Sequence, residues 1–580
     1  MKKRIVSILL AAILVMSTVL TGCQKTEKKD GQEASSTGGS SNAAGTETGR
    51  DLITLEVYDV AANYQGIANG WFANYVKNKF NIEFNIIAPQ ASGDASAVYQ
   101  TRSSSGKMGD IILLDNSDFV DCINAGLIKD ISGLVDNYPN ISVFKDQIKA
   151  FANQVEGKEG AIYGIPSEMT NTSPTTYSQT SVLSSPWLPW DYYKELGTPE
   201  MKDLSGLLDV LEAMQKAHPT NKDGDKAYAI GLWPSWDNTS IENVNQMTKW
   251  YGEEVNGSVL LNAKGEMRPL TEDTGAYHKM LRFLFDANQR GLIDPDSATQ
   301  DWNIMLEKMK AKRVYLYWYN WSLGFYNTVE KTSKGDGYIY APVEDMNFYQ
   351  VSDSYFGSGR VWGIGSQVDD ATALRIMEFL DWYASPEGVN MQNTLLKDFT
   401  YEVQENGTFK TINDTAVVNN DIVPDEYGGG PIIDGMNQLN QWIVGALSIN
   451  PDTGESYSRV GWSSEKEKEK TTLEKEWNAH YNTTNALELM KSKNQLEVVP
   501  SVNLILETDS TDIALVRSQC GKLICDYSWQ MIYASDETAF EKYWTDLKEK
   551  LTGLGWDKLV EADRSKYQPV VEERAKALSK

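Results

Sequence analysis

The stretch LITLEVYDVAANYQGIANGWFANYVKNKFNIEFNIIA, Leu52 to Ala88, decides the fold. Ile53, Leu55 and Val57 alternate with polar residues, the period of a strand with one buried face. The period then changes. In GWFANYVKNKF, Gly70 to Phe80, Trp71, Tyr75 and Val76 share one helical face. Ile82, Phe84 and Ile86 return to alternation. Downstream, GDIILLDN (Gly109 to Asn116) is a short apolar run ending in Asp115-Asn116, as a buried parallel strand ends. The succession predicts an α/β lobe with a largely parallel sheet.

Upstream, Lys2-Lys3-Arg4 precedes an apolar run from Ile5 to Leu20, then Thr21-Gly22-Cys23. Basic start, apolar stretch and small residues are the three parts of a secretory signal. The run is short of the roughly 20 residues that span a bilayer. Leu20-Thr21-Gly22-Cys23 resembles the lipobox of bacterial lipoproteins. The resemblance implies that residues 1–22 are removed and that Cys23 carries a lipid, with two acyl chains giving stable anchoring. The alternative is an uncleaved anchor with an incidental cysteine. Gln24 to Arg50 holds no aromatic and no aliphatic residue larger than alanine, so it cannot build a core. Residues 23–50 are expected to form a flexible tether spanning about 30 Å.

The remaining chain is too long for one simple core, so two or more lobes are expected. A net charge of −26 argues against nucleic acid and anionic polymers as partners. Beyond Cys23 there are only Cys122, Cys520 and Cys525. The last two, five apart on a helical pattern, lie about 140° apart around the axis and are read as buried thiols rather than a disulfide. Leu204, Leu207, Leu208, Leu211 and Met214 form a helical stripe, as do Ala373, Ile376, Met377, Leu380 and Tyr383 behind an Asp369 or Asp370 cap. EKEKEKTTLEKEW, Glu465 to Trp477, reads as a solvated helix.

GAIYGIPSEM (160–169), WDYYKELGTPEMKDLSGLLDVLEAMQKA (190–217), KRVYLYWYNWSLGFYN (312–327) and DATALRIMEFLDWYASPEGVNM (370–391) together resemble the carbohydrate-binding branch of the extracellular solute-binding lipoproteins of bacterial ABC importers. That resemblance implies a periplasmic-binding-protein-like α/β fold: two lobes with mixed sheets, joined by crossing strands around a ligand cleft. The expected division is 51–168 plus about 340–415 for lobe one, and 169–339 plus about 416–580 for lobe two. The chain would cross near Tyr163–Pro166, return near Tyr338–Pro342 and cross again within Asn413–Pro431. The implied protein is a monomer on the outer face of the cytoplasmic membrane, anchored through Cys23. It captures an oligosaccharide for an ABC permease.

A sugar offers apolar C–H faces to aromatic rings and a rim of hydroxyls to carboxylates and carboxamides. Such pairs should sit at strand ends facing a cleft. The candidates are Asp59, Asn63 and Tyr64 after the first strand; Asp115 and Asn116; Glu168 beyond the Ile-Pro crossing; Trp233, Trp236 and Asp237 in GLWPSWDN; and Trp318, Asn320 and Trp321, with Tyr319, in LYWYNWSLG. For the tryptophans the alternative is ordinary packing, and for the polar residues helix capping. Trp190 is read as helix-start packing, and Trp187 is left open. Asn221, Asp223 and Asp225 alternate as calcium ligands might, but no acidic residue follows through Leu232, so a polar turn is the preferred reading. No cofactor is expected. His218, His278 and His480 show no metal spacing, and no nucleophile motif occurs, which argues against an enzyme. A surface-anchored glycan hydrolase, needing only two carboxylates, and a peptide receptor of the same fold are the alternatives.

Overall fold

The computed structural model describes residues 50–579, apart from 93, 94, 159, 467 and 469. The signal, Cys23 and nearly all of the tether lie outside the described residues. Six strands form the first sheet, in the order Gly66–Ile67, Ile82–Ile87, Ile53–Asp59, Ile111–Asp115, Arg360–Ile364, Gly164–Pro166. Ile53–Asp59 runs parallel to both of its neighbours. Arg360–Ile364 is inserted antiparallel between Ile111–Asp115 and Gly164–Pro166. The sheet is therefore mixed, and its parallel part is the one the opening stretch encodes. Helix Gly70–Phe80 packs Trp71, Phe72 and Val76 on one face beside helix Asp370–Tyr383. Helix Asn116–Asn124 covers the other face with Phe119, Cys122 and Ile123. Gly164 and Gly363 make room for it, since a Cβ at either would stand 2.6 Å from the Phe119 ring.

The second core is larger. The antiparallel strands Tyr317–Tyr319, Ser184–Pro189 and Tyr338–Tyr340 run through it. Helix Leu204–Ala217 buries the whole predicted leucine stripe, with Asp203 accepting the Gly206 N–H as its cap. The C-terminal helices Thr511–Ile532, Glu537–Leu554 and Trp556–Leu578 complete it. Trp190 opens a short helix and is buried, and Trp187 is buried in its strand.

Several boundaries differ from expectation. Tyr338–Tyr340 does not lead back to the first lobe. It pairs with Ser184–Pro189 inside the second core, and the chain returns only at 352–358. Ala416, Val423, Ile432, Leu439, Ile443 and Tyr457 all pack in the first core, so the chain does not leave it within Asn413–Pro431. The chain passes to the second core for the last time between Tyr457 and Leu473, and Pro500–Ile505 then reaches back to the first lobe: the Ser501 N–H donates to Pro174 O and Asn503 bonds Asn116. The crossing segments lie close together: Gly357, at φ +101°, sits where a Cβ would approach Ser167 O to 2.8 Å. The charged run 465–477 is not one helix either. Its inner Thr471 and Glu474 form a capping box that starts a helix at Thr472.

Candidate functional site

Two surfaces carry the candidate residues, one on each core. On the second core the turn Trp233–Asp237 is held from below. Asn243 Nδ2 donates to Trp233 O at 2.7 Å, and Gln300 Nε2 donates to Leu232 O at 2.7 Å. Asp237 accepts the Glu242 N–H at 3.0 Å and Trp529 Nε1–H at 2.8 Å. Burial pushes its carboxyl up to about 6 against those two bonds. Its oxygens already serve the turn, so Asp237 positions Trp236. Asn320 likewise donates to Ser181 Oγ at 3.2 Å.

The rings form two layers. Trp233 and Trp318 are 2% and 1% exposed and stack with centroids 5.3 Å apart. With no open face, they are packing rather than the ligand-stacking surface expected of them. The outer layer is Trp236, Trp302 and Trp321. Trp236 lies 4.9 Å from Trp302 and 6.3 Å from Trp321, and Trp302 lies 5.4 Å from Trp321. Trp321 is 46% exposed, with Tyr319 packed behind it at 5.1 Å. Trp302 was not singled out from sequence. It opens a helix capped by Asp301, a place where tryptophan reads as packing.

On the first core Asp59 is buried at the end of its strand. One oxygen accepts the N–H groups of Ala61 and Ala62 at 2.8 and 3.1 Å, and the other has no partner among the described residues. Burial raises its carboxyl to about 7, outweighing those bonds and the nearby Arg360. Asp59 thus holds the loop whose Ala61 O accepts from Asn440 Nδ2 at 2.7 Å. Asn63 is exposed on that loop, and the Tyr64 hydroxyl donates to Ile67 O.

Asp115 and Glu168 are brought together through two residues that sequence reasoning missed. Arg360 Nε donates to Asp115 at 3.1 Å, Arg360 Nη1 to Gln441 Oε1 at 2.8 Å, and Gln441 Nε2 to Glu168 at 2.8 Å. Arg360 opens its strand and Gln441 lies in an irregular segment, so neither carried a pattern. Glu168 has φ +55°, a left-handed conformation unusual outside glycine, at the start of the first crossing. Asn116 is buried and donates to Asn503 Oδ1 at 2.6 Å, tying the first lobe to the segment Pro500–Ile505.

A cavity of about 930 Å³ lies between Asp115–Ser117, the crossing segment 351–359, the segment 501–509 and the C-terminal helices. The aromatic wall is outside its lining. Helix Thr511–Ile532 connects the two: Ala514 and Arg517 line the cavity, while Trp529 holds Asp237 beside Trp236. Arg517 and Trp529 are about 18 Å apart along its axis.

Residues 70–401 match the family described as bacterial extracellular solute-binding protein. That span is more than half of the chain. This chain belongs to that family. One relative of the solute-binding chain is the fructooligosaccharide ABC transporter substrate-binding protein FusA of Streptococcus pneumoniae serotype 4. It is 26% identical over 223 residues, 37% of this chain and 40% of that protein's length. In structure the chain resembles S. pneumoniae FusA in complex with kestose, with a TM-score of 0.58 and 16% identity over 90% of this chain and 100% of that one. It also resembles an HMO-binding solute-binding protein from Bifidobacterium longum infantis, with a TM-score of 0.59 and 13% identity over 90% and 99% of the chains. These likenesses establish a periplasmic-binding-protein-like fold. The matched relatives are substrate-binding components of transporters.

Two further features of this solute-binding chain are a polar loop and a pair of thiols. In the loop raised as a calcium candidate, Asn221 Oδ1 accepts the N–H groups of Asp223 and Asp225 at 3.0 and 2.9 Å, and Thr220 bridges Lys226. That is an Asx-type turn, in which the Asn221 oxygen is engaged by the loop's own backbone. Among the described residues no group of three His, Cys, Asp or Glu could hold a metal. Cys520 and Cys525 sit on one helix and are unpaired.

Proposed function

We propose that this protein is the receptor of an ABC importer, capturing an oligosaccharide between its two lobes and presenting it to membrane permease subunits. The observation that carries the reading is the outer tryptophan layer. Trp236, Trp302 and Trp321 offer ring surface at the edge of a lobe, backed by a buried second layer that fixes their orientation. Rings so held cover the apolar faces of a sugar at little entropic cost. The carboxylate and carboxamide edge Asp115, Arg360, Gln441 and Glu168, with exposed Asn63 on the loop that Asn440 bonds, supplies hydrogen-bond partners from the other lobe. Closure is selected because only the closed form makes both sets of contacts.

In this reading Cys23 is lipidated after removal of residues 1–22, and the monomer is held at the outer face of the cytoplasmic membrane by its tether. The ligand leaves unchanged. Titration calorimetry against oligosaccharides, with chromatography of the mixture afterwards, tests the proposal. Stoichiometric binding without products supports it. Turnover products would establish the hydrolase alternative instead.

A further inference from the structure

The charges around the 930 Å³ cavity bear on which oligosaccharides the protein takes, granted the capture proposed above. Three cations line it, Arg517, Lys566 and Arg574, and Arg360 borders it through Asp115. Each already has a carboxylate within 4.0 Å, Arg574 through Glu254 at 3.9 Å. Arg517 donates to Asp509 at 2.5 and 3.1 Å and to Asp563 at 2.6 and 2.8 Å, which occupies four of its five N–H groups. Lys566 bonds Asp509 at 3.0 Å. Arg574 donates to the Tyr349 hydroxyl at 2.6 Å and to Pro500 O at 3.2 Å. Arg360 is shared between Asp115 and Gln441.

These pairings are not easily exchanged. Asp563 is fully buried and also accepts the Ser258 N–H and hydroxyl. Drawing Arg517 toward an anionic ligand would strand that carboxylate away from water, a heavier loss than the new pair returns. Meanwhile Asp115, Glu507 and Asp509 all line the cavity, and the chain as a whole is strongly acidic. A carboxylated, sulfated or phosphorylated sugar would meet like charge there and would have to compete with a carboxylate for every lining cation. A cationic sugar fares little better. Asp115 and Asp509 are already paired, and Glu507 alone has no ion pair among the described residues. What remains on offer besides that one carboxylate is uncharged: exposed Ser117 and Thr508, backbone groups of segments 351–359 and 501–509, and the tryptophan wall at the far end of helix Thr511–Ile532.

We infer that the ligand is a neutral, hydroxyl-rich oligosaccharide, carrying neither acidic groups nor free amines. Calorimetry on the purified protein tests this with three probe sets of matched length: neutral fructo-, malto- and xylo-oligosaccharides, oligogalacturonates, and glucosamine oligomers. Each is run at about 20 and about 300 mM NaCl, which changes screening several-fold. The expected result is a neutral ligand whose Kd moves less than about twofold between the two salts, as binding without ion pairs requires. An oligogalacturonate or glucosamine oligomer that binds more tightly than every neutral probe, and loses about tenfold in affinity at high salt, would overturn the inference while leaving sugar capture intact. Failure of all three sets to bind would overturn the capture reading and this inference with it.

Discussion

Asp59→Asn isolates one buried charge at the end of the first strand. The carboxyl is fully buried, one oxygen holds two loop N–H groups, and the other is unpartnered. Its rise from 3.8 to about 7 is worth about 4 kcal/mol, at roughly 1.4 kcal/mol per pH unit. The sign follows from proton linkage. Between about pH 4 and 7 the native state keeps a proton that the unfolded chain has released, so stability falls as pH rises through that window and levels off above it. Asparagine keeps the acceptor for Ala61 and Ala62 but cannot ionise. The variant should match the wild type near pH 4 and exceed it by up to about 4 kcal/mol at pH 8. Urea unfolding followed by tryptophan fluorescence at pH 4, 6 and 8 measures the difference. Should the lobes unfold separately, the shift belongs to the transition of the first. Parallel wild-type and variant profiles across that range would refute the reasoning. So would a variant less stable at every pH, because the carboxylate would then be held ionised by Arg360.

Other substitutions separate binding from folding. Trp321→Ala removes an exposed ring and should weaken oligosaccharide binding about tenfold or more with little change in unfolding midpoint, whereas Trp233→Ala should cost about 3–5 kcal/mol of stability, both read by calorimetry and urea titration. Intact affinity for every sugar in Trp321→Ala would remove that ring from the site. Arg517→Ala leaves buried Asp563 unpaired and should destabilise the C-terminal helices by about 3–5 kcal/mol, seen as a lower thermal midpoint. Burial raises the Cys520 thiol and pushes Cys525 up to about 12, so both should react with iodoacetamide at pH 8 far more slowly than free cysteine until denaturant is added, as mass spectrometry would show.

The legible parts of the fold were those written in local period. Ile53–Asp59, Gly70–Phe80 and Ile82–Ile87 form where alternation and helical spacing place them, and the stripes 204–217 and 370–383 are buried as read. The irregular ties between the lobes were not legible. Pro500–Ile505 has no regular structure and takes its hydrogen bonds from Pro174, Ser352 and Asn116, all more than a hundred residues away in sequence. Tyr338–Pro342 misled for the opposite reason: an apolar run ended by proline is a strong local stop, but its strand partners lie in the second lobe. At the candidate site, the sequence showed a concentration of tryptophans but not their layers. Trp318 and Trp321 are three residues apart, yet one is sealed by Trp233 and the other faces outward. Only long-range packing decides between them.

Under the proposed function, the same packing bears on where affinity would come from. Asp59, Asp237 and Asn116 already serve the protein's own backbone or side chains, and Asp115 and Glu168 are linked through Arg360 and Gln441. A hydroxyl arriving at this edge exchanges one hydrogen bond for another, and such exchanges yield little net free energy. The outer rings make no such exchange. Covering Trp236, Trp302 and Trp321 removes apolar surface from water, at about 25 cal/mol per Å². Polar truncation should therefore alter which sugar is preferred, and ring truncation how tightly any sugar is held. Glu168→Gln keeps its acceptor oxygen for Gln441, so it should lose less than about tenfold in affinity and change the ranking among sugars. A uniform loss across all ligands, equal to that of Trp321→Ala, would place the binding energy in the polar edge and sink this division of labour.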